Sequence, residues 1–354
     1  IRRGTLRANA PVSVVAPDGT SRRARVLELY GFHGLQRHKV DAATAGDIVV
    51  FSGIEKLGIS DTLCAPDHEE ALPALTVDEP TVSMTFQVNK SPFAGQEGKF
   101  LTSRQIRERL DQELKHNVAL RVDNTDDPDK FRVSGRGELH LAVLVETMRR
   151  EGFELAVSRP EVIMHDVDGE EHEPWEQLTV DFDEAYQGAV MTRLADRKGE
   201  LTDMLPDGKG RIRLDYRIPT RGLIGFRTEY LTATSGTGLI YHVFDRYAPR
   251  VGGSIAQRNN GVLVSNVQGK ALAYALFNLQ ERGRLFIGHG TPVYEGMIVG
   301  IHQRSNDLVV NPTKAKQLTN IRAAGSDENL VLSPPVRYSL EQSLEFLDDD
   351  ELLE

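Results

Sequence analysis

One order of elements occurs twice in this chain and limits its fold more than any other feature. Between Pro80 and about Pro160 the residues read strand, helix, strand, strand, helix, strand. Val82 to Val88 alternates, and Thr102-x-x-Gln105 is a capping box that leads into Ile106, Leu110 and Leu114 on one helical stripe. Leu120 and Val122, then Phe131 and Val133, flank a turn from Asn124 to Asp129. Leu141, Leu144, Val145 and Met148 mark a second helix, and Phe153 to Val157 closes the unit. After an acidic stretch, Asp166 to Glu173, the same order returns. Leu178 to Phe182 is a strand, Tyr186, Val190 and Leu194 lie on a helix, and Leu201 to Leu205 with Ile212 to Ile218 forms a hairpin around Asp207-Gly208. Thr220 to Thr234 is read as one helix and Leu239 to Phe244 as the last strand. Strands that separate helices in this split βαβ order make ferredoxin-like sheets. Two such domains are expected, at residues 79–165 and 166–249.

The flanking regions follow other patterns. Residues 1–78 alternate in short runs (Val12, Val14, Ala16; Ala24, Val26; Ile48 to Phe51) joined by turns such as Asp18-Gly19, which predicts a small antiparallel β-barrel. Ile1 stands where the middle of a strand is read, so the first strand is expected to be truncated and the chain to be a fragment. Ala65 to Pro80, with three prolines and five acids, reads as a linker. Residues 250–354 form a fourth, mixed domain: a helix within Gly269 to Gly283, two strands around Gly288-His289-Gly290, and a long polar loop from Asn306 to Asn329. The fold class expected is therefore multidomain β plus α+β. A length of 354 residues agrees, because single cores stop growing well below it.

Composition excludes several functions. The longest apolar runs are strand-sized, far below the roughly 20 residues of a membrane span. Cys64 is the single cysteine, which rules out an internal disulfide or a CxxC site and makes a reducing cytoplasm the expectation. No G-x-x-x-x-G-K-[ST] phosphate loop and no HExxH motif occur. Gly252-Gly253-Ser254-Ile255-Ala256 lacks the last glycine of a nucleophile elbow, and no two acids are expected to meet in an apolar setting that would support general acid/base chemistry. No catalytic residue and no metal site are assigned.

The net charge of −10 conceals its distribution. Glu341 to Glu354 holds seven acids and no base and reads as a solvated acidic tail, whereas Val251 to Leu340 has nine Arg or Lys against five Asp or Glu. Within that basic region Asn311, Lys314, Lys316, Gln317, Thr319, Asn320 and Arg322 mix cations with small hydrogen-bonding side chains. Cations that neutralise phosphates and amides that reach base edges suit a loop that grips folded RNA, and the same composition suits a merely solvated loop. His289, between two glycines, fits a base-stacking position or a plain turn. Arg221, before a helix, fits a phosphate dock or a solubilising helix start. Arg22, Arg23, Arg25, Arg37, His38 and Lys39 make a basic strip in the first domain, with Phe32-His33-Gly34-Leu35 as a partly apolar turn.

The module order, a small barrel and then two ferredoxin-like units with no insertion between them, resembles the part of translational GTPases that follows the G domain. In detail it is similar to the BipA/TypA family. Leu29-Tyr-Gly-Phe-His-Gly-Leu35, Ala45-Gly-Asp47, Ser134-Gly-Arg-Gly-Glu-Leu-His140, Pro219-Thr-Arg-Gly-Leu-Ile-Gly-Phe226 and, most specifically, Val310-Asn-Pro-Thr-Lys-Ala-Lys-Gln-Leu-Thr-Asn-Ile-Arg322 carry the likeness. The resemblance implies a ribosome-associated GTPase of large-subunit assembly and of stress or cold adaptation, represented here without its N-terminal G domain. It implies GTP and Mg in the full-length protein, no cofactor and no GTP hydrolysis in this chain, and as partners the ribosome (both subunits, 70S), rRNA and a tRNA acceptor end. A cytoplasmic monomer without membrane contact is expected. RNA contacts are expected at Lys314, Lys316, Asn320 and Arg322, with Asn311, Thr319, His289 and Arg221 beside them. An elongation-factor-like translocase body and a protein-interaction scaffold are the alternatives.

Overall fold

The computed structural model describes the chain except for residues 56, 75–78, 254, 256–257, 259 and 317–329. Two compact units divide it: residues 1–79 with 109–120, and residues 80–108 with 121–354.

The first unit carries eight short strands: β1 (Thr5–Arg7), β2 (Pro11–Val15), β3 (Ser21–Arg25), β4 (Leu29–His33), β5 (Gln36–Lys39), β6 (Ala42–Thr44), β7 (Val50–Phe51) and β8 (Thr62–Cys64). They form three antiparallel ladders, β1-β6, β3-β2-β8 and β5-β4-β7. The expected barrel is therefore not one closed ladder among the described residues. Strands of two to five residues end at turns before a ladder can close, and single bonds such as Leu27 N–H to Ser52 O (2.8 Å) and Val40 N–H to Leu29 O (2.9 Å) join the pieces. Val12, Val14, Val26 and Leu29 are buried within it. Gly53, at φ +103°, lies so close to Leu27 that a Cβ would sit 2.5 Å from its Cγ, so only glycine fits there.

Residues 80–158, of which 109–120 group with the first unit, carry β9 (Val82–Gln87), α1 (Ser103–Leu114), β10 (Arg121–Asn124), β11 (Lys130–Gly135), α2 (Glu138–Glu151) and β12 (Ala156–Ser158). The capping box forms as read: Thr102 N–H donates to Gln105 Oε1 (3.1 Å) and Gln105 N–H to Thr102 Oγ1 (3.4 Å). The sheet runs β10-β11-β9-β12, the ferredoxin-like order in which the first and third strands lie at the centre. Val82, Met84 and Phe86 alternate inward from β9, and Leu141, Leu144, Val145 and Met148 are buried from α2. Two short strands, β13 (Glu161–Val162) on β9 and β14 (His165–Val167), lead into the next sheet.

That sheet is built from β15 (Glu170–Asp183), α3 (Gln187–Asp196), β16 (Glu200–Pro206), β17 (Arg211–Pro219), α4 (Thr220–Leu223), α5 (Phe226–Ala233) and β18 (Leu239–Pro249). Its order, β16-β17-β15-β18, repeats the first. Leu178, Val180, Phe182, Leu194, Leu214, Phe226 and Tyr230 make its core. The single helix expected over 220–234 is broken, because Gly225 takes φ +73° between α4 and α5. The acidic stretch 166–173 is not all solvated either: Glu173 is fully buried, and Arg221 binds its carboxylate.

The C-terminal module holds β19 (Val262–Ser265), β20 (Gly269–Lys270), α6 (Ala273–Leu279), β21 (Gly283–Leu285), β22 (Pro292–Val293), β23 (Ile298–His302) and β24 (Leu308–Val310). Its sheet is β21-β23-β19-β24, with β24 parallel to β19, over a core of Leu263, Leu276, Val293, Val299 and Val310. The helix is shorter than read. Gly269 and Lys270 pair with β22 instead, and Gly283 lies against β23, where a Cβ would meet Ile301 O at 1.8 Å.

The expected acidic tail is ordered structure. Ser339 and Gln342 form a capping box that starts α7 (Leu340–Phe346), Leu344 and Leu347 are buried, and β25 (Leu352–Leu353) pairs with β12 through Val157↔Leu353 and Ser158↔Leu352. Its acids have fixed partners. Arg258 binds both Glu351 oxygens at 2.8 Å, and Arg159 binds Asp349 at 3.1 Å. The charge run concealed four apolar positions (Leu344, Leu347, Leu352, Leu353) that carry this strap back to the first αβ sheet.

Candidate nucleic-acid interface

The loop expected from Asn306 to Asn329 is interrupted by β24 (Leu308–Val310), and its residues 317–329 lie outside the described residues; the segment after β24 is fixed by backbone bonds. Where β24 ends, Val310 O accepts from Asn266 N–H (3.0 Å) and Pro312 O from Leu272 N–H (2.9 Å). Asn311 Oδ1 accepts from both the N–H and the hydroxyl of Thr313, at 2.9 Å each, an Asx turn that aims the chain away from the sheet. Gly269 makes room for Thr313: a Cβ there would lie 3.0 Å from Thr313 Cγ2. The same few residues hold the His289 turn, because Gly290 N–H donates to Ala271 O (2.8 Å) and Ala271 N–H to Thr291 O (2.9 Å).

His289 has a defined tautomer in this setting. Its Nδ1 accepts from Ala273 N–H, the first residue of α6, at 3.1 Å. The ring thus caps a helix N-terminus, and the neutral form carries its proton on Nε2. The side chain is exposed, so that N–H is presented to solvent. Lys270, Lys314 and Lys316 are exposed in the same neighbourhood. Asn311 uses its carbonyl oxygen for the turn, and its amide nitrogen has no partner among the described residues. Three ammonium groups, an imidazole N–H and an amide N–H therefore gather at one end of the module. All are donors, and their acceptors of choice are phosphate oxygens, ribose hydroxyls and base edges.

The sequence reading gave Asn311, Lys314, Lys316 and His289 as candidate contacts and Arg221 as a separate one before a helix. Asn311, Lys314, Lys316 and His289 come together as one locale. Thr319, Asn320 and Arg322 lie outside the described residues. Arg221 is elsewhere: its guanidinium binds Glu173 (2.5 Å), Gly253 O (2.9 Å) and Val251 O, so its donors brace β15 against the chain after β18. A helix-start arginine looks alike in sequence whether it faces solvent or a buried acid. Lys270 was missed. The signal that finds it is the pairing of β20 with β22 beside His289. In the first unit, Arg22, Arg23, Arg25, Arg37, His38 and Lys39 are exposed on β3 and β5, with Leu35 fully exposed at the hairpin tip; Lys39 is tied to Glu28 at 2.8 Å.

The sequence has no phosphate loop, and among the described residues no three His, Cys, Asp or Glu side chains converge on one point. No helix of the described residues is long and apolar enough to cross a membrane.

The two consecutive sheets share the ferredoxin-like 2-3-1-4 order, and a mixed module follows them. The family model described as Elongation factor G C-terminus matches residues 170–258, the second of those sheets. Residues 260–354 match the model described as TypA/BipA C-terminal domain. Over all 354 residues the chain is 61% identical to proteins named Large ribosomal subunit assembly factor BipA from Haemophilus influenzae and Escherichia coli K12, and 52% identical to that of Buchnera aphidicola. It belongs to the TypA/BipA family. The chain spans 58% of the length of these relatives.

Proposed function

We propose that this chain is the ribosome- and RNA-gripping body of a large-subunit assembly factor that works in the cytoplasm as a monomer. The gathering of Lys270, His289, Asn311, Lys314 and Lys316 at the root of the polar loop carries this reading. The exposed Lys270 and Lys314 ammonium groups, the His289 Nε2–H and the Asn311 amide fit the acceptors of folded RNA better than a protein face, which offers acceptors and donors in mixture. The partners proposed are rRNA on both subunits and a tRNA acceptor end, with Thr319, Asn320 and Arg322 adding contacts farther along the loop. GTP hydrolysis, with Mg, is assigned to parts of the whole protein other than these residues.

The test is co-sedimentation with ribosomal particles across a salt series. Each phosphate contact contributes about one unit to the log-log slope of affinity on salt. Lys270→Ala with Lys314→Ala is expected to weaken binding at low salt and to make the slope shallower by about two. An unchanged slope removes this locale from the interface.

A further inference from the structure

Helix α7 is held by packing at Leu344 and Phe346, whose ring lies 5.4 Å from that of Phe286, and by polar groups beside them. Leu344 is its one buried residue, and clefts of about 830 and 450 Å³ lie along it, both lined by Gln342 and Glu345. Its contacts with the rest of the unit include a hydrogen bond to Glu345 Oε1 from the Thr228 hydroxyl of α5 at 3.1 Å. Facing it is Glu138, in the first turn of α2, whose Oε2 accepts weakly from Gly225 N–H at 3.4 Å. A Cβ on Gly225 would lie 3.6 Å from Glu345 Cδ. Two carboxyl groups, from α2 and from α7, thus converge on one glycine that offers a single N–H.

Two ionised carboxylates in that position repel, and one proton removes the repulsion. Burial first, and the Glu345 charge second, push Glu138 up to about 7; burial raises Glu345 as well. The other charged groups around them act with less effect. The hydrogen bond to Glu176, 2.5 Å away, raises His242 of β18, whose charge favours the Glu138 anion. Arg197, at the end of α3, does the same, but its guanidinium is shared with Glu229 (2.9 Å) and with the carbonyls of Gly222 and Ile224. Arg227 of α5 lines the smaller cleft, and Glu341 of α7 adds a further negative charge.

We propose that α7 is a proton-operated clasp: protonation of Glu138, which lines one cleft with Glu345, seats the helix on α2, and loss of that proton loosens the helix together with the strap that follows it. The strap joins modules. Asp348 and Glu351 reach Arg258 of the C-terminal module, Glu354 reaches Tyr294 there and Asn89 of the first αβ module, and β25 extends the first αβ sheet. Its release therefore frees the RNA-facing module from the first αβ module. Glu138 is raised when α7 is seated and returns to the ordinary carboxylate range when α7 lifts. Seating is then strongest below about pH 4.5, weakens by up to about tenfold per pH unit as pH rises to about 7, and is level beyond, a total on the order of a hundredfold.

Amide hydrogen exchange of the 354-residue chain, corrected for intrinsic rates, reads the clasp at residues 340–347. In the parent chain protection is expected to fall about tenfold per pH unit between pH 5 and 7. In Glu138→Gln, which keeps an acceptor for Gly225, the slope is expected to fall to the smaller part that buried Glu345 supplies. A slope in Glu138→Gln as steep as the parent's, or a parent chain with no slope, overturns the proposal. Should Glu138→Gln lose protection at β11, which would report a damaged sheet, Glu345→Gln is read instead: a slope shallower than the parent's supports the clasp and one equal to the parent's overturns it.

Discussion

Replacing Arg258 with Ala tests whether the strap is held by its ion pairs. The guanidinium donates to both Glu351 oxygens at 2.8 Å and to Phe346 O at 3.0 Å, and lies 4.6 Å from the centre of the Phe346 ring. Arg258 is 12% exposed and Glu351 10%, so removal of the cation leaves a nearly buried carboxylate without its partner. Breaking one side of such a pair costs about 3–5 kcal/mol. The remaining exposure and the nearby solvent put the expectation at the lower end, about 3 kcal/mol, or roughly a hundredfold in the opening equilibrium of the strap. Several domains make a single unfolding free energy ill-defined, so the measurement is local: exchange of the Val157 and Leu353 amides in the β12–β25 pair. A double-mutant cycle with Glu351→Ala should return a coupling of about 1.5 kcal/mol or more, because the second change removes the stranded charge. Protection altered less than about threefold in Arg258→Ala would refute the view that this pair fastens the strap.

Two further expectations concern the modules themselves. Gly283→Ala should destabilise the C-terminal module by more than about 3 kcal/mol, since its Cβ would overlap Ile301 O; rapid proteolysis within residues 260–316 is the readout, and resistance equal to the parent would contradict the register of β21 on β23. Glu154 folds the loop 89–98 around its carboxylate: burial pushes it upward, but the N–H groups of Gly98, Gly95 and Glu97 and the Asn89 amide hold it below the usual carboxylate range. That stabilisation is complete above the ordinary carboxylate pKa and is lost as pH falls below it, so exchange in residues 89–98 should quicken in acid in the parent chain and be fast at every pH in Glu154→Ala.

The αβ modules were legible because two periodicities alternate in them. Val82, Met84 and Phe86 repeat every second residue, and Leu141, Leu144, Val145 and Met148 follow the helical stripe, so the order of elements could be read before their pairing was known. What failed to show was anything that depends on a distant partner. Glu173 and the acids after Glu341 look solvated until Arg221, Arg159 and Arg258, far off in sequence, are brought to them. Glu138 reads as the polar first residue of a helix, and only α7 makes it half of a carboxyl pair. Gly225 broke a helix that its neighbours favoured. At the candidate site the sequence composition singled out Lys314 and Lys316, while Lys270 required the β20–β22 pairing to be known.

The pairing of β25 with β12 joins residues about 200 positions apart. During synthesis at about 5–20 residues per second, Val157 would wait some 10–40 s before Leu353 existed to cover it. Throughout that interval the edge of a nearly finished sheet would stand open to any passing strand, including the same segment of a neighbouring nascent chain. The hinge between module and strap is therefore where domain-swapped products would first form when translation is crowded or slow.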